Sequence, residues 1–314
     1  MTSSVSEQQP HRLKVSKDTL AHRTLAALAQ HRMVDTRQLQ VMLLPGSRQR
    51  LSAALTTLRK EHLVDCITLP GANRLRAWYL TRSGARATEG WPELRDRPRH
   101  PITGKTVASL IAAHTRTVVD THLAFVQDAR ERGDGHGPWD WSPETTHYLA
   151  EGDLLKADAL LHYEAASLNG ARVQLQAFVE VDRATGSSGK LASKLIKYAR
   201  FYTHTPLPPG RRSAAHQPPA APTWQRWYPV FPRLLFVLSN ARAASYQHRI
   251  EDLQAMTTEH PLVARMASRV PLGAAVLSDL EEHGPRAPVW TRLAGPPERW
   301  RTHESADRCA WTDL

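Results

Sequence analysis

The stretch FVEVDRATGSSGKLASKLIKYARFY, residues 178–202, decides how this chain is read. Its first five residues close the β-rich run VQLQAFVEVD, residues 173–182, in which Val173, Leu175, Ala177, Val179 and Val181 are every second residue. Side chains two apart on a strand share a face, so Glu180 and Asp182 emerge together on the side opposite the valines. A Gly/Ser turn follows, then a helix on which Lys190, Lys194 and Lys197 recur at i, i+4 and i+7. Leu191, Leu195, Tyr198 and Tyr202 form the adjacent apolar stripe. Two carboxylates at a strand end therefore precede a helix with three ammonium groups on one face.

Upstream, LLKADALLHY, residues 154–163, reads as a second strand with Lys156 and Asp158 on one face. A neighbouring position in the sheet brings Asp158 beside Glu180. Phosphodiester cleavage needs these parts: carboxylates to hold Mg²⁺ or Mn²⁺, a metal-bound water of lowered pKa, and a cation for the transition-state charge. Asp158, Glu180 and Asp182 are the expected metal ligands. Lys194 is the first choice for the cation and Lys190 the second, which completes the expected catalytic set. Glu144, in WSPETTHY, is an outlying candidate for positioning.

The net charge of +11 is concentrated near the amino end. Residues 12–100 hold 17 Lys and Arg against 7 Asp and Glu, an excess of ten. Such a local excess favours a polyanionic partner. The same segment reads as three helices and a hairpin. DTLAHRTLAALAQHR starts at a capping Asp18, TRQLQVMLL follows Asp35 or Thr36, and RQRLSAALTTLRKEHL follows Ser47. Leu51, Leu55 and Leu58 form the inner face of the third helix. Arg48, Gln49, Arg50, Ser52, Thr56 and Arg59 are left outside, where such side chains reach phosphates and base edges. LVDCITL and NRLRAWYL then form strands around Pro70-Gly71-Ala72, placing Arg74 and Arg76 on one side of a wing. This order predicts a winged helix-turn-helix that binds double-stranded DNA. The same fold used for protein contacts is the alternative.

The predicted class is α/β (α+β overall). A disordered tail, 1–17, precedes a winged helix over 18–90 and a Pro/Arg-rich linker over 91–104. An α/β domain with a small mixed sheet spans 105–282 and carries a Pro-rich insertion at 204–226. An irregular tail is expected over 283–314. Trp224, Trp227 and Tyr228 read as strand-entry packing, with base stacking as the other option.

The residues LKADALL, 155–161, and the opening stretch 178–202 resemble those of the actinobacterial plasmid replication-relaxation family, over roughly residues 18–250. The resemblance implies a winged helix joined to a core similar to the PD-(D/E)XK restriction-endonuclease-type nucleases. It also implies a role in plasmid or chromosome DNA maintenance. Against that motif, Ala157 takes the place of the proline before the first acid, and Asp182 stands where the motif has lysine. Lys194 on the following helix then fits a migrated lysine.

Only Cys66 and Cys309 are present, too few for a four-thiolate zinc site. The sixteen histidines lack ligand spacing, and no phosphate-cradling Gly-x-x-x-x-Gly-Lys loop occurs. No apolar run is long enough to span a bilayer, and the polar amino terminus points to a cytoplasmic, nucleoid-associated protein. The leading expectation is a DNA-binding protein of plasmid or mobile-element maintenance with a magnesium-dependent nuclease-like core. Plasmid replication or transfer proteins are the expected further partners. The alternative is a non-catalytic winged-helix regulator whose nuclease fold has degenerated. A partner-recruiting scaffold leaves the basic amino-terminal segment unexplained.

Overall fold

The computed structural model describes residues 19–69, 75–95, 102, 105–149, 152–166, 170–186, 188–205, 221–294 and 308–314. The expected tail at 1–17 lies outside them, as do Arg74 and most of the Pro-rich insertion. The chain divides into two compact units, Met1–Thr115 and Arg116–Leu314.

In the first unit, α1 (Leu20–His31) starts at Thr19, whose hydroxyl accepts the His22 N–H. Asp18, the expected cap, lies outside the described residues. A short strand that the sequence reading did not separate, β1 (Met33–Asp35), then leads into α2 (Thr36–Leu43). Asp35 and Gln38 exchange side chain-to-backbone hydrogen bonds as a capping box, satisfying two orphan N–H groups. Leu44 and Gly46 adopt positive φ and turn the chain into α3 (Arg48–Lys60), capped by Ser47. Two antiparallel strands follow, β2 (Val64–Thr68) and β3 (Arg76–Leu80), and β1 pairs on the far side of β3. Leu25, Leu28, Leu39, Leu51, Leu55 and Leu58 are buried. After β3 comes α4 (Arg82–Ala87), where a Cβ on Gly84 would lie 2.0 Å from the Leu63 carbonyl oxygen. Part of the stretch expected to be linker is ordered: Pro92–Leu94 form a 3₁₀ turn, and Trp91 stacks on His22.

The helix α5 (Lys105–Arg132) carries the chain into the second unit. Its elements are β4 (Trp141–Pro143), β5 (Thr146–Tyr148), β6 (Leu154–Lys156), β7 (Ala159–Ala166), β8 (Arg172–Asp182), α6 (Ser188–Thr203), β9 (Arg233–Leu238), α7 (Ala243–Glu259), α8 (Pro261–Ala267), β10 (Leu272–Val276), α9 (Leu277–His283), β11 (Trp290–Arg292) and β12 (Arg308–Cys309). Seven strands make one sheet in the order β12-β11-β10-β9-β8-β7-β4, and β5 pairs with β6 apart from it. The sheet is mixed, as expected, but larger than the sequence suggested. β8, β9 and β10 run parallel, while β7 is antiparallel to both β8 and β4, and β11 is antiparallel to both β10 and β12. The parallel steps are connected through α6 and then α7–α8, because a parallel pair needs a long crossover.

Alternation along the strands builds two cores. Phe178, Leu234 and Phe236 pack with Leu195, Tyr198 and Phe201 of α6 and with Leu253 and Val263 of α7 and α8. Val179, Leu235 and Val237 face the other way, toward Phe125 of α5, Leu280 of α9, Trp290 and Trp311. Within 283–314, expected to be irregular, the described residues include β11 and β12, which extend the sheet, and a 3₁₀ turn at Trp311–Asp313. Their short strands show too little alternation to be read from sequence. Among the described residues no helix is long and apolar enough to cross a membrane.

Candidate functional site

Glu180 and Asp182 share a face of β8, the face covered by α6 and α7, as the two-residue period requires. Asp158 lies just before β7, whose register sets Ala159 against Val179 and so brings residue 158 level with Glu180. Its Oδ2 accepts the Val181 N–H at 2.8 Å, which fixes the carboxylate against β8. The strand expected over 154–163 is broken here. β6 ends at Lys156, Ala157 is buried, and the Asp158 carbonyl accepts the Glu144 N–H at 2.9 Å. Lys156 therefore does not share the site with Asp158, and its ammonium pairs with Glu144 Oε1 at 2.9 Å. Glu144 meets Asp158 through its backbone.

Lys194 comes down from α6 between the two acids. Its Nζ donates to Glu180 Oε2 in a very short contact and to Asp158 Oδ1 at 3.5 Å. The other Glu180 oxygen accepts from the Tyr198 hydroxyl at 2.6 Å. Tyr198 lies four residues on from Lys194, so one helical turn delivers both groups. Glu180 is only 3 % exposed, while Lys194 keeps a third of its side chain in solvent. Burial, backed by the Asp158 charge, pushes the Glu180 carboxyl up to about 8 against the pull of Lys194 and Tyr198. Burial also works against the Lys194 ammonium, but Glu180 and Asp158 more than offset it and hold it above the usual lysine range. Both shifts run toward the protonated form, so the cluster carries less negative charge than two bare carboxylates.

The remaining expected residues lie elsewhere. Asp182 Oδ2 accepts from Arg249 Nη1 of α7 at 2.5 Å, and Asp182 Oδ1 accepts the Ala184 N–H at 3.1 Å. The second Arg249 nitrogen donates to the Gly186 carbonyl at 2.6 Å. Asp182 is thus held by an arginine rather than joined to Asp158 and Glu180. Lys190 is exposed, and Lys197 pairs with Asp153 Oδ1 at 2.9 Å. Among the described residues no group of three His, Cys, Asp or Glu side chains is arranged to hold a metal ion. Sequence reasoning did not find Arg249, 67 residues from its partner, and it placed Tyr198 in the apolar stripe. The one available signal for Tyr198 was a phenol on a buried stripe, which usually seeks a polar partner.

The aromatic residues after the insertion divide. Trp224 and Tyr228 are buried, with Tyr228 hydrogen-bonded to His147 Nε2 at 2.8 Å, whereas Trp227 is half exposed. On α3, Arg48, Gln49, Arg50, Ser52, Thr56 and Arg59 are all exposed opposite the buried leucines. Arg59 pairs with Asp65 at 3.1 Å, and Arg76 is exposed at the start of β3.

No curated protein and no solved structure matches this chain. A replication-relaxation family model matches residues 25–210, which takes in α3, Asp158, Glu180 and Lys194. With more than half of its length matched, the chain belongs to the replication-relaxation family.

Proposed function

We propose that this protein binds double-stranded DNA through its first unit and cleaves phosphodiesters in its second, in the service of plasmid or mobile-element replication. Family membership supports the replication setting. The order α1, β1, α2, α3, β2, β3 supports a winged-helix reading of the first unit, with α3 as the recognition helix and Arg76 on the wing. For the second unit, the antiparallel β7–β8 pair with Asp158 at the entry to β7 and Glu180 on β8, the parallel β9, and the lysine-bearing α6 that connects β8 to β9 support a PD-(D/E)XK-like core. Plasmid replication or transfer proteins are the further partners this setting suggests, and a cytoplasmic, nucleoid-associated location goes with it.

One observation carries the catalytic half: Asp158 Oδ1, just ahead of β7, and Glu180 Oε2, on the neighbouring β8, both turn to a single cation, Lys194 Nζ. Two hard oxygen donors that already converge on one positive charge fit Mg²⁺ or Mn²⁺, which proteins commonly hold by one or two carboxylates with phosphate and water completing the shell. Bound there, the ion supplies an activated water and charge neutralisation. Asp158 and Glu180 would hold it, Tyr198 fixes the Glu180 carboxyl, and Lys194 would meet the negative charge on the phosphoryl oxygens. Asp182 is assigned to Arg249 and contributes no ligand, and exposed Lys190 takes an outer place facing the nucleic-acid backbone.

The test is nicking of supercoiled plasmid by the purified protein with Mg²⁺ or Mn²⁺, compared with Asp158→Ala and Glu180→Ala. Loss of cleavage in both variants supports the assignment, and cleavage unaffected by either removes these residues from the chemistry. A second reading has its own support. Asp182, at the position of the motif's lysine, is neutralised by Arg249, as expected of a nuclease fold turned into a non-catalytic regulator. That protein binds DNA in a salt-sensitive manner without metal-dependent turnover.

A further inference from the structure

We infer that Lys194 closes the divalent-cation site in the free protein and opens it by passing its ammonium to a phosphodiester oxygen of bound DNA, so that metal affinity depends on DNA. This rests on the nuclease reading above and specifies how its site is loaded.

Lys194 Nζ touches both Asp158 Oδ1 and Glu180 Oε2, the two oxygens that would face the metal. An ammonium and a divalent ion cannot share that position, since like charges at contact repel strongly where water is scarce. A third carboxylate could hold both cations, but Asp182 is committed to Arg249, which is itself buried and anchored on the Gly186 carbonyl. The remaining oxygens of Glu180 and Asp158 are also taken, by the Tyr198 hydroxyl and the Val181 N–H. The site therefore sets two carboxyl groups against one ammonium and leaves at most one net negative charge for an added divalent ion.

Lys194 is the part that can move. A third of its side chain is exposed, whereas Glu180 is 3 % exposed. A lysine is a compact charge on a flexible four-carbon stem, suited to exchanging one oxygen partner for another. A phosphodiester arriving at the mouth of the site offers such a partner. It also supplies the oxygen that the protein's two-carboxylate set lacks.

The test measures free Mn²⁺ by electron paramagnetic resonance during titration of the full chain, with and without a short DNA duplex. Asp158→Asn with the same duplex corrects for metal bound by the DNA itself. Wild type should bind Mn²⁺ at least tenfold more tightly with the duplex than without it. Lys194→Met should bind at least tenfold more tightly than wild type in the absence of DNA. Lys194→Gln serves if the methionine variant does not fold, and the wild-type comparison needs no substitution. Binding by wild type that is indifferent to DNA overturns the inference and leaves the metal site standing, as does equal binding by the lysine variants. Absence of Mn²⁺ binding in every arm overturns the metal site along with it.

Discussion

Arg249 Nη1 lies 2.5 Å from Asp182 Oδ2, and the same guanidinium reaches the Gly186 carbonyl. One side chain of α7 thereby ties the end of β8 to the turn that launches α6. Breaking a largely buried pair from one side strands the other charge, at a cost of about 3 kcal/mol. Arg249→Met should lower stability in urea denaturation by about that amount, while Asp182→Asn combined with Arg249→Met should recover part of it. A single substitution as mild as the double one would mean that the pair is not coupled.

Tyr198→Phe removes the hydroxyl that donates to Glu180 Oε1 and leaves a buried carboxyl oxygen without that donor. The expected loss is about 1–3 kcal/mol, the range for an unsatisfied buried polar group. Phenylalanine fills the same space, so a larger loss would have to come from something other than the hydrogen bond. Thermal denaturation reads the difference.

The exposed face of α3 predicts graded effects on DNA binding. Arg48→Ala and Arg50→Ala should each weaken binding and reduce the steepness of its salt dependence by about one unit per lost phosphate contact. Arg59→Ala should do less, because Arg59 is already paired with Asp65. Fluorescence anisotropy over a salt series measures both quantities. Equal affinity and slope in all three variants would move the interface off α3.

His136 sets an acid limit on stability. Burial lowers its pKa from 6.5 to about 4, and its Nδ1 is held at the His162 carbonyl. A histidine lowered by folding contributes stability that is fully present above its unfolded pKa of 6.5. That stability is lost as pH falls through the folded value near 4. The loss across this window is about 3 kcal/mol at 1.4 kcal/mol per pH unit. His147, also lowered to about 4 by burial, acts in the same direction. Melting temperature should fall from pH 6.5 to 4 in wild type and fall less in His136→Gln.

Trp311 is fully buried, with ring centroids 5.7 Å from Phe125 and 5.2 Å from Tyr163. Trp311→Ala should cost about 3–5 kcal/mol, as for other large aromatic truncations in a core. Urea denaturation at constant m-value checks it.

What the sequence showed depended on how local the determinant was. The strand period put Glu180 and Asp182 on one face, and the helical period put Lys194 one turn from Tyr198, because both follow from backbone geometry. The α3 face was legible for the same reason. Asp158 beside Glu180 required a register between two strands, and the motif suggested it before any pairing was visible. The fate of Asp182 was not legible, since its partner arrives from α7 after an insertion and another strand. Nor was the break at Ala157, where Lys156 leaves for Glu144 although alternation alone put it beside Asp158. β1, β11 and β12 have two or three residues each, too short for any period to register.

The parallel pairing of β8 with β9 bears on how small a working piece of this protein can be. The family match stops at residue 210, before β9 begins at Arg233. A fragment ending there would keep both acids and the lysine, yet strip the backbone from Ala177 to Asp182 of its neighbour along one side. That raw strand edge, carrying Phe178, Val179 and Val181, would be a template for sticking to other copies. Minimised versions of the second unit should therefore aggregate unless they run on through the carboxyl-terminal strands.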